Sequence, residues 1–147
     1  NHFDLLIFVP DIFPKENVSK FLHKLSLSYL MYFNTKYNRS GTLFEGRFKS
    51  KIIKDDLYLK YLYSYIHLNP IKLIQSDWKE KGIKNISKAT SFLESYFHSS
   101  YVDYFNLNLT KSNKIVSKEN FLEILGKDID LKKEIFTWLF ATKSLGG

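Results

Sequence analysis

The sequence predicts an α+β fold, because segments with the patterns of strands and of helices alternate along its first half. Residues 3–9 are rich in β-branched and aromatic side chains and end at Pro10, which is typical of a strand closed by a turn. A second strand is expected around residues 48–53, after a basic loop. Longer segments with helical spacing follow each strand. These patterns are compatible with helices packed on a sheet.

Two helices are predicted with definite ends. Residues 15–34 have apolar side chains at the spacing of an amphipathic helix. Asp55 and Asp56 favour the start of the second helix, where carboxylates accept hydrogen bonds from free N–H groups. That helix is expected to end near Asn69, because Pro70 disfavours helical geometry in the residue before it.

We predict two parts in the chain. The main domain spans residues 1–105, and a tail spans residues 106–147. In the tail, residues 106–113 have the composition of a linker. Two short helices are expected after it, at residues 117–125 and 131–142.

The composition restricts the possible partners and sites. The chain has 147 residues, a formal net charge of +7 and a sequence pI near 9.4, which favours a polyanion or an anionic surface as partner. The absence of cysteine excludes disulfides and thiolate metal sites, and it fits a reducing compartment. The apolar run at residues 5–10 is too short for a membrane span, so we expect a cytoplasmic protein without a membrane segment. Since the chain starts at Asn1 on a predicted strand, we also expect further sequence upstream.

The first candidate site is the pair His2 and Asp4. Alternation along a strand places both side chains on one face, where an imidazole and a carboxylate can bind Mg²⁺ or Mn²⁺. The structural alternative is an exposed chain end with two unrelated polar side chains.

The second candidate site lies at the end of the second predicted helix. Tyr65 and Asn69 are four residues apart and share a helical face, so a nucleophilic phenol can stand beside an amide ligand. Periodicity alone favours a different interpretation. Tyr58, Tyr61 and Tyr65 form a stripe that a helix could bury as core, and Asn69 could be a simple C-cap.

The third candidate is the basic loop that precedes the second helix. Glycines, aromatic residues and cations alternate there, which suits phosphates and unpaired bases. The predicted nucleic-acid-binding residues are Arg39, Phe44, Arg47, Phe48, Lys49 and Lys51. A solvated basic hairpin with two core phenylalanines is an equal alternative.

Taken in order, these segments resemble a known family. Residues 1–7, Asn-His-Phe-Asp-Leu-Leu-Ile, are similar to the Asn-His-Phe-His-Leu-Leu-Ile strand of the REP-associated tyrosine transposases and related insertion-sequence single-tyrosine HUH transposases. Residues 37–41, 43–50 and 65–70 resemble three further blocks of that family. A later Ser-Ser-Tyr block resembles residues 99–104. The likeness covers the predicted main domain and does not extend into the tail.

The resemblance implies both a fold and an activity. The fold is a ferredoxin-like antiparallel sheet with packed helices, and this sheet is expected from the resemblance more than from the strand patterns. The sheet would be incomplete if the further strands that family members have before the first histidine are absent from the protein. The activity is cleavage and transfer of single-stranded or hairpin DNA through a 5′-phosphotyrosine intermediate. By this resemblance Tyr65 is the nucleophile, and His2 and Asn69 bind Mg²⁺ or Mn²⁺. Some members exchange the tyrosine helix between subunits and others act alone, so a homodimer stays open.

The sequence departs from the family at Asp4, where the family has its second histidine. A carboxylate is a good ligand for a hard cation, so the predicted ligand set is His2, Asp4 and Asn69. Its negative charge, however, opposes the neutralisation that an attacking phenolate and a phosphate require. Three functions stay open: DNA strand transfer, a catalytically inactive DNA-binding remnant, and a regulatory DNA-binding module built on the two C-terminal helices.

Overall fold

A computed structural model describes residues 2–105, 116–126 and 129–141, with side chains described as far as Thr137. The predicted linker at residues 106–113 lies outside these ranges. The described residues form helices joined by irregular segments. The helices are α1 (Glu16–Lys36), α2 (Asp56–Leu68), α3 (Trp78–Lys81), α4 (Ile86–Ser95), α5 (Tyr101–Phe105), α6 (Lys118–Leu125) and α7 (Leu131–Ala141), with a 3₁₀ turn at Asn69–Leu73 directly after α2.

The α+β prediction is wrong, because the described part of the chain contains no strand and therefore no ferredoxin-like antiparallel sheet. Both predicted strands, residues 3–9 and 48–53, are irregular. The physical reason is the non-local nature of a sheet: strand-forming side chains produce a strand only where another segment pairs with the backbone. In this fold the strand-like side chains are largely solvent-exposed, as at Phe8 and Ile52.

The chain divides into two compact units. The smaller unit is Ile7–Ile52, and the larger unit combines Asn1–Leu6 with Ile53–Gly147. The smaller unit contains α1 and the basic loop, whereas the larger unit contains the remaining helices. Each unit is described below by itself.

Helix α1 confirms the first predicted helix and is slightly longer than expected. Its backbone entrance is held by Pro14, whose carbonyl accepts from the Asn17 N–H at 3.0 Å. No residue of α1 is fully buried. Its apolar stripe, including Phe21 and Tyr32, therefore stays about half exposed within this unit.

Helix α2 confirms the second prediction at both ends. The Asp55 carboxylate caps the helix by accepting from the Tyr58 N–H at 2.6 Å. At the other end Asn69 keeps helical angles, with φ −54° and ψ −35°, although a proline follows it. Because Pro70 has no N–H to continue the α-helical bonds, the chain tightens into the 3₁₀ turn instead of leaving the helix axis at once.

The core of the larger unit forms around one side of α2. Tyr63 is 1% exposed, and its ring stacks on Phe121 of α6 at a centroid distance of 4.4 Å. Tyr104 of α5 meets the same ring edge-on at 5.4 Å. The two predicted C-terminal helices are present, and they enter this core. The buried cluster comprises Leu59, Tyr63, Leu68, Ile71, Trp78, Ile83, Ala89, Leu93, Tyr101, Phe121, Leu131 and Ile135.

None of the described helices is both long enough and apolar enough to cross a bilayer.

Candidate active site

Asn69 is the C-cap residue of α2. Its backbone N–H donates to the Tyr65 carbonyl, which fixes the residue one turn after that tyrosine. Its side-chain amide Nδ2 donates to Asp4 Oδ2 at 3.4 Å, across 65 residues of sequence. The helix end therefore meets the N-terminal segment at this point of the larger unit.

The Asp4 carboxylate lies close to the other two predicted ligands, His2 and Asn69. Its Oδ2 atom, which accepts from Asn69, lies 3.6 Å from His2 Nε2. The side chains of His2 and Asp4 are 67% and 35% exposed, so the group is open to solvent. The structure thus brings His2, Asp4 and Asn69 together, although the strand that was expected to align the first two is absent.

The donor set of this group fits a hard divalent cation. Around an octahedral Mg²⁺ or Mn²⁺, adjacent donor atoms are separated by about 3 Å. The two separations at Asp4, 3.4 and 3.6 Å, need only a small contraction to reach that value. The amide of Asn69 directs Nδ2 at the carboxylate, so a half-turn of the amide would present its oxygen to a cation. The described residues contain no group of three or more His, Cys, Asp or Glu side chains arranged for a metal, and this site contributes two such side chains, His2 and Asp4, beside the amide of Asn69.

Tyr65 lies one turn before Asn69, and its phenol has a cationic partner. The Lys79 ammonium donates to the Tyr65 hydroxyl oxygen at 2.7 Å. The same ammonium lies 4.1 Å from the centroid of the Tyr65 ring. Lys79 belongs to the short helix α3, which is anchored by its neighbour Trp78 at 3% exposure. Sequence reasoning did not identify Lys79, because nothing local connects it with a residue 14 positions earlier.

The tyrosine stripe of α2 is not part of the core. Tyr58 and Tyr61 stack at 6.1 Å with a 26° interplanar angle, and Tyr61 and Tyr65 stack at 6.0 Å with 29°. Tyr61 is 38% exposed, and the other two rings are only partly buried. The core tyrosine of this helix is Tyr63, which lies on a different face. The core interpretation of the stripe is therefore wrong. Tyr58, Tyr61 and Tyr65 instead form a row of accessible stacked rings along α2, called the tyrosine ladder below.

His67 is a buried polar residue of this helix to which the sequence analysis assigned no role. Its Nδ1 lies 2.7 Å from the Tyr63 carbonyl oxygen, which can only accept, so Nδ1 is protonated. Nε2 then accepts from the Ser100 hydroxyl at 3.0 Å. Burial lowers the pKa of His67 to about 4, although the hydrogen bond to Tyr63 opposes this shift. The imidazole is therefore a neutral structural group and is 3% exposed.

The predicted nucleic-acid-binding residues all belong to the smaller unit. The Arg39 guanidinium lies 5.6 Å from the ring centroid of Phe33 and donates to the Thr42 carbonyl at 3.4 Å. Phe44 contacts Tyr29 at a centroid distance of 6.4 Å, so this phenylalanine is held against α1. Arg47, Phe48, Lys49 and Lys51 are exposed.

A second cation of this unit lies among exposed rings at the end of α1. Lys36 Nζ donates to the Tyr32 hydroxyl at 3.0 Å and lies 5.6 Å from the ring centroid of Tyr37. Both tyrosines are more than half exposed. The loop that follows is held to α1 by Asn34, whose Nδ2 donates to the Gly41 carbonyl at 3.1 Å. Gly41 has φ +93°, a conformation that side chains rarely allow.

The predicted residues thus form two groups. The larger unit joins His2, Asp4 and Asn69 and places Tyr65 one turn away, with Lys79 on its phenol. The smaller unit contains the basic and aromatic loop. Comparisons with family models, with curated proteins and with solved structures returned no match.

Proposed function

We propose that this protein cleaves and transfers single-stranded DNA through a covalent link to Tyr65, with a divalent cation held by His2, Asp4 and Asn69. One observation supports this proposal above the others. Asn69, one helical turn after Tyr65, meets Asp4 at 3.4 Å, and His2 lies 3.6 Å from the same carboxylate oxygen. The proposed nucleophile thus lies one turn from the proposed cation ligands at the end of α2, and metal-assisted phosphoryl transfer needs such a pair.

The proposed step is a transesterification. The Tyr65 phenol oxygen forms a bond to phosphorus, and the bond from phosphorus to the 3′-oxygen breaks. The phenol proton is lost to solvent, and the departing 3′-oxygen gains a proton. The products are a 5′-phosphotyrosine and a free 3′-hydroxyl, so the bond energy is conserved and another 3′-hydroxyl can reverse the step. No oxidant or further reactant is needed.

The ligand residues have separate tasks in this proposal. With a cation bound, His2 would supply an imidazole nitrogen, Asp4 a carboxylate oxygen, and Asn69 an amide oxygen after a half-turn of its amide. A cation bound there supplies charge stabilisation at the scissile phosphate. The solvent exposure of His2 leaves the approach to this group open for a DNA strand.

Two surfaces support single-stranded DNA as the substrate. The stacked rings of Tyr58, Tyr61 and Tyr65 offer π-faces to unpaired bases, and base–aromatic stacking tolerates any sequence. The basic loop of the smaller unit adds exposed cations for phosphates, including Arg47 and Lys49. The net charge of +7 agrees with a polyanionic partner. A substrate of this kind is consistent with a cytoplasmic location for the protein, in contact with DNA.

A covalent adduct is the direct test. Because the target sequence is unknown, the DNA is a pool of random-sequence hairpins with single-stranded flanks, labelled at the 3′ end so that the fragment joined to the protein is visible. The protein is incubated with this pool and Mg²⁺ or Mn²⁺, and the products are separated on a denaturing gel. We expect a labelled protein band that EDTA abolishes.

Two phenylalanine variants make the test specific. Tyr65→Phe removes the proposed nucleophile and should abolish the band. Tyr61→Phe, on the same helical face, keeps the ring and should leave the band intact. An adduct that persists in Tyr65→Phe, or wild-type protein that binds the pool without forming any adduct, would refute the proposed chemistry.

A catalytically inactive DNA-binding remnant is the second candidate function, and one observation favours it. The Asp4 carboxylate already accepts from Asn69 and lies beside His2, so the group has internal partners without any cation. Under this alternative the protein retains DNA binding through its basic loop and its tyrosine ladder. The adduct assay separates the two candidates, because only the first needs Tyr65 and a divalent cation.

A further inference from the structure

The contact between Lys79 and Tyr65 has no counterpart in the sequence motifs. Lys79 Nζ donates to the phenol oxygen at 2.7 Å, a short distance for a charge-assisted hydrogen bond. The phenol oxygen is the atom that forms the new bond to phosphorus in the proposed reaction. A lysine that touches this atom can affect the reaction directly.

The surroundings of α3 favour this contact over other partners for Lys79. Asp77, at the start of the helix, is ion-paired with Lys81 at 3.2 Å and with Lys84 at 3.4 Å. These two lysines lower the pKa of the Asp77 carboxyl, with Lys81 the larger cause. The nearby carboxylate is therefore shared by two other cations, whereas Lys79 is directed at Tyr65. The buried Trp78 ring fixes the backbone from which Lys79 extends.

We propose that Lys79 is a second catalytic residue of this site, which holds the Tyr65 oxygen in position and neutralises the negative charge that develops between this oxygen and the phosphate. This inference rests on the proposed function. The ammonium group carries hydrogen-bond donors but has no lone pair that could accept a proton, so it cannot remove the phenol proton. Its contribution is electrostatic and positional, and it should strengthen as charge accumulates in the transition state.

Single-turnover kinetics test this role. Adduct formation is followed on the hairpin pool at increasing DNA concentration for wild type, Lys79→Met and Lys79→Arg. We expect Lys79→Met to lower the maximal rate by about 100-fold, at the lower end of the range found when one preorganised donor is removed. The half-saturating DNA concentration should change less than about threefold, because the interaction strengthens only in the transition state. Lys79→Arg keeps a donor and a charge and should recover most of the rate.

A matched control removes the same charge from a neighbouring element. Lys72 is exposed on the 3₁₀ turn, and Lys72→Met should leave the maximal rate within about twofold of wild type, since surface charges act weakly. A Lys79→Met rate equal to this control overturns the inference. So does a raised half-saturating concentration with an unchanged rate, because this result would assign Lys79 to DNA binding alone.

A spectroscopic measurement tests the contact independently of activity. In protein labelled with ¹³C at the tyrosine Cζ position, the Tyr65 signal is the one that disappears in Tyr65→Phe. We expect Lys79→Met to move this signal and Lys72→Met to leave it in place; an unmoved signal overturns the contact and with it the inference. If wild type forms no adduct, the proposed function fails and the catalytic role of Lys79 fails with it. If wild type forms the adduct but Lys79→Met forms it equally fast, only the role of Lys79 fails.

Discussion

The His67 imidazole accepts a 3.0 Å hydrogen bond from the Ser100 hydroxyl, which joins the last turn of α2 to the segment before α5. The other ring nitrogen donates to the Tyr63 carbonyl at 2.7 Å. The ring also meets Tyr104 edge-on at 5.2 Å. A neutral imidazole thus satisfies one donor and one acceptor inside an aromatic core, and a second proton would remove the acceptor that Ser100 uses.

This arrangement predicts a loss of stability in mild acid. Burial lowers the pKa of His67 to about 4 from its ordinary 6.5. Between these values the unfolded chain binds a proton that the folded chain does not, so the free energy of unfolding falls as the pH drops from 6.5 towards 4. The expected loss is roughly 3 kcal/mol over this window. Urea unfolding of wild type and His67→Gln from pH 7 to pH 4.5 measures it, and the difference between their pH slopes isolates His67. Equal slopes would contradict the prediction.

The N-cap of α2 should contribute measurably to stability. The Asp55 carboxylate accepts from the Tyr58 N–H at 2.6 Å, and its loss leaves a helix N–H without this partner. We expect Asp55→Ala to lower the free energy of unfolding by about 1 kcal/mol. Asp56→Ala, one residue later and inside the first turn, is the matched control and should cost less than about half of that. Similar losses in the two variants would show that charge, rather than capping, matters here.

Asn69 should determine how well the site binds a divalent cation. Asn69→Leu removes the amide oxygen, and we expect the Mn²⁺ concentration that gives half-maximal adduct to rise by about tenfold or more. Asn69→Asp keeps an oxygen donor at the same place and should bind the cation at least as well as wild type. The measurement is a Mn²⁺ titration of adduct yield at a fixed DNA concentration. An unchanged titration in Asn69→Leu would exclude Asn69 from the ligand set.

The tyrosine ladder should contribute to affinity for single strands. Tyr61 is the most exposed of its rings, and stacking of one base on an aromatic ring is worth about 1–3 kcal/mol. Tyr61→Ala should therefore weaken binding of a single-stranded oligonucleotide by about fivefold or more, measured by fluorescence anisotropy. Tyr61→Phe should bind like wild type, because the ring is retained. Loss of affinity in both variants would assign the effect to the hydroxyl.

The basic loop should determine the salt dependence of DNA binding. Arg47 and Lys49 are exposed in the smaller unit, and each phosphate contact contributes about 0.7 to the slope of log affinity against log salt for a single strand. The variant Arg47→Gln/Lys49→Gln should reduce the slope by about 1.4. The measurement is the same anisotropy assay between low and moderate salt. A parallel loss of affinity at every salt concentration would indicate a structural effect instead.

The sequence predicted α1, α2, α6 and α7 because helices depend on local bonds, whereas α3, α4 and α5 were not predicted. The start of α2 at Asp55, its end at Asn69 and the extent of α1 follow from capping, from proline geometry and from apolar spacing within a few residues. The same reasoning was wrong for residues 3–9 and 48–53. Strand propensity describes a side chain that suits a sheet, and it contains no information on whether a partner segment is present.

What the sequence by itself determined is therefore helices α1, α2, α6 and α7, the basic charge and the one-turn spacing of Tyr65 and Asn69. Only the tertiary structure decided which polar side chains meet. In the folded protein His67 is buried, the ring of Tyr61 lies outside the core, and Lys79 contacts the Tyr65 phenol. The physical reason is that these contacts depend on how α2, α3 and α5 pack, and packing is set by the whole buried cluster rather than by any local pattern.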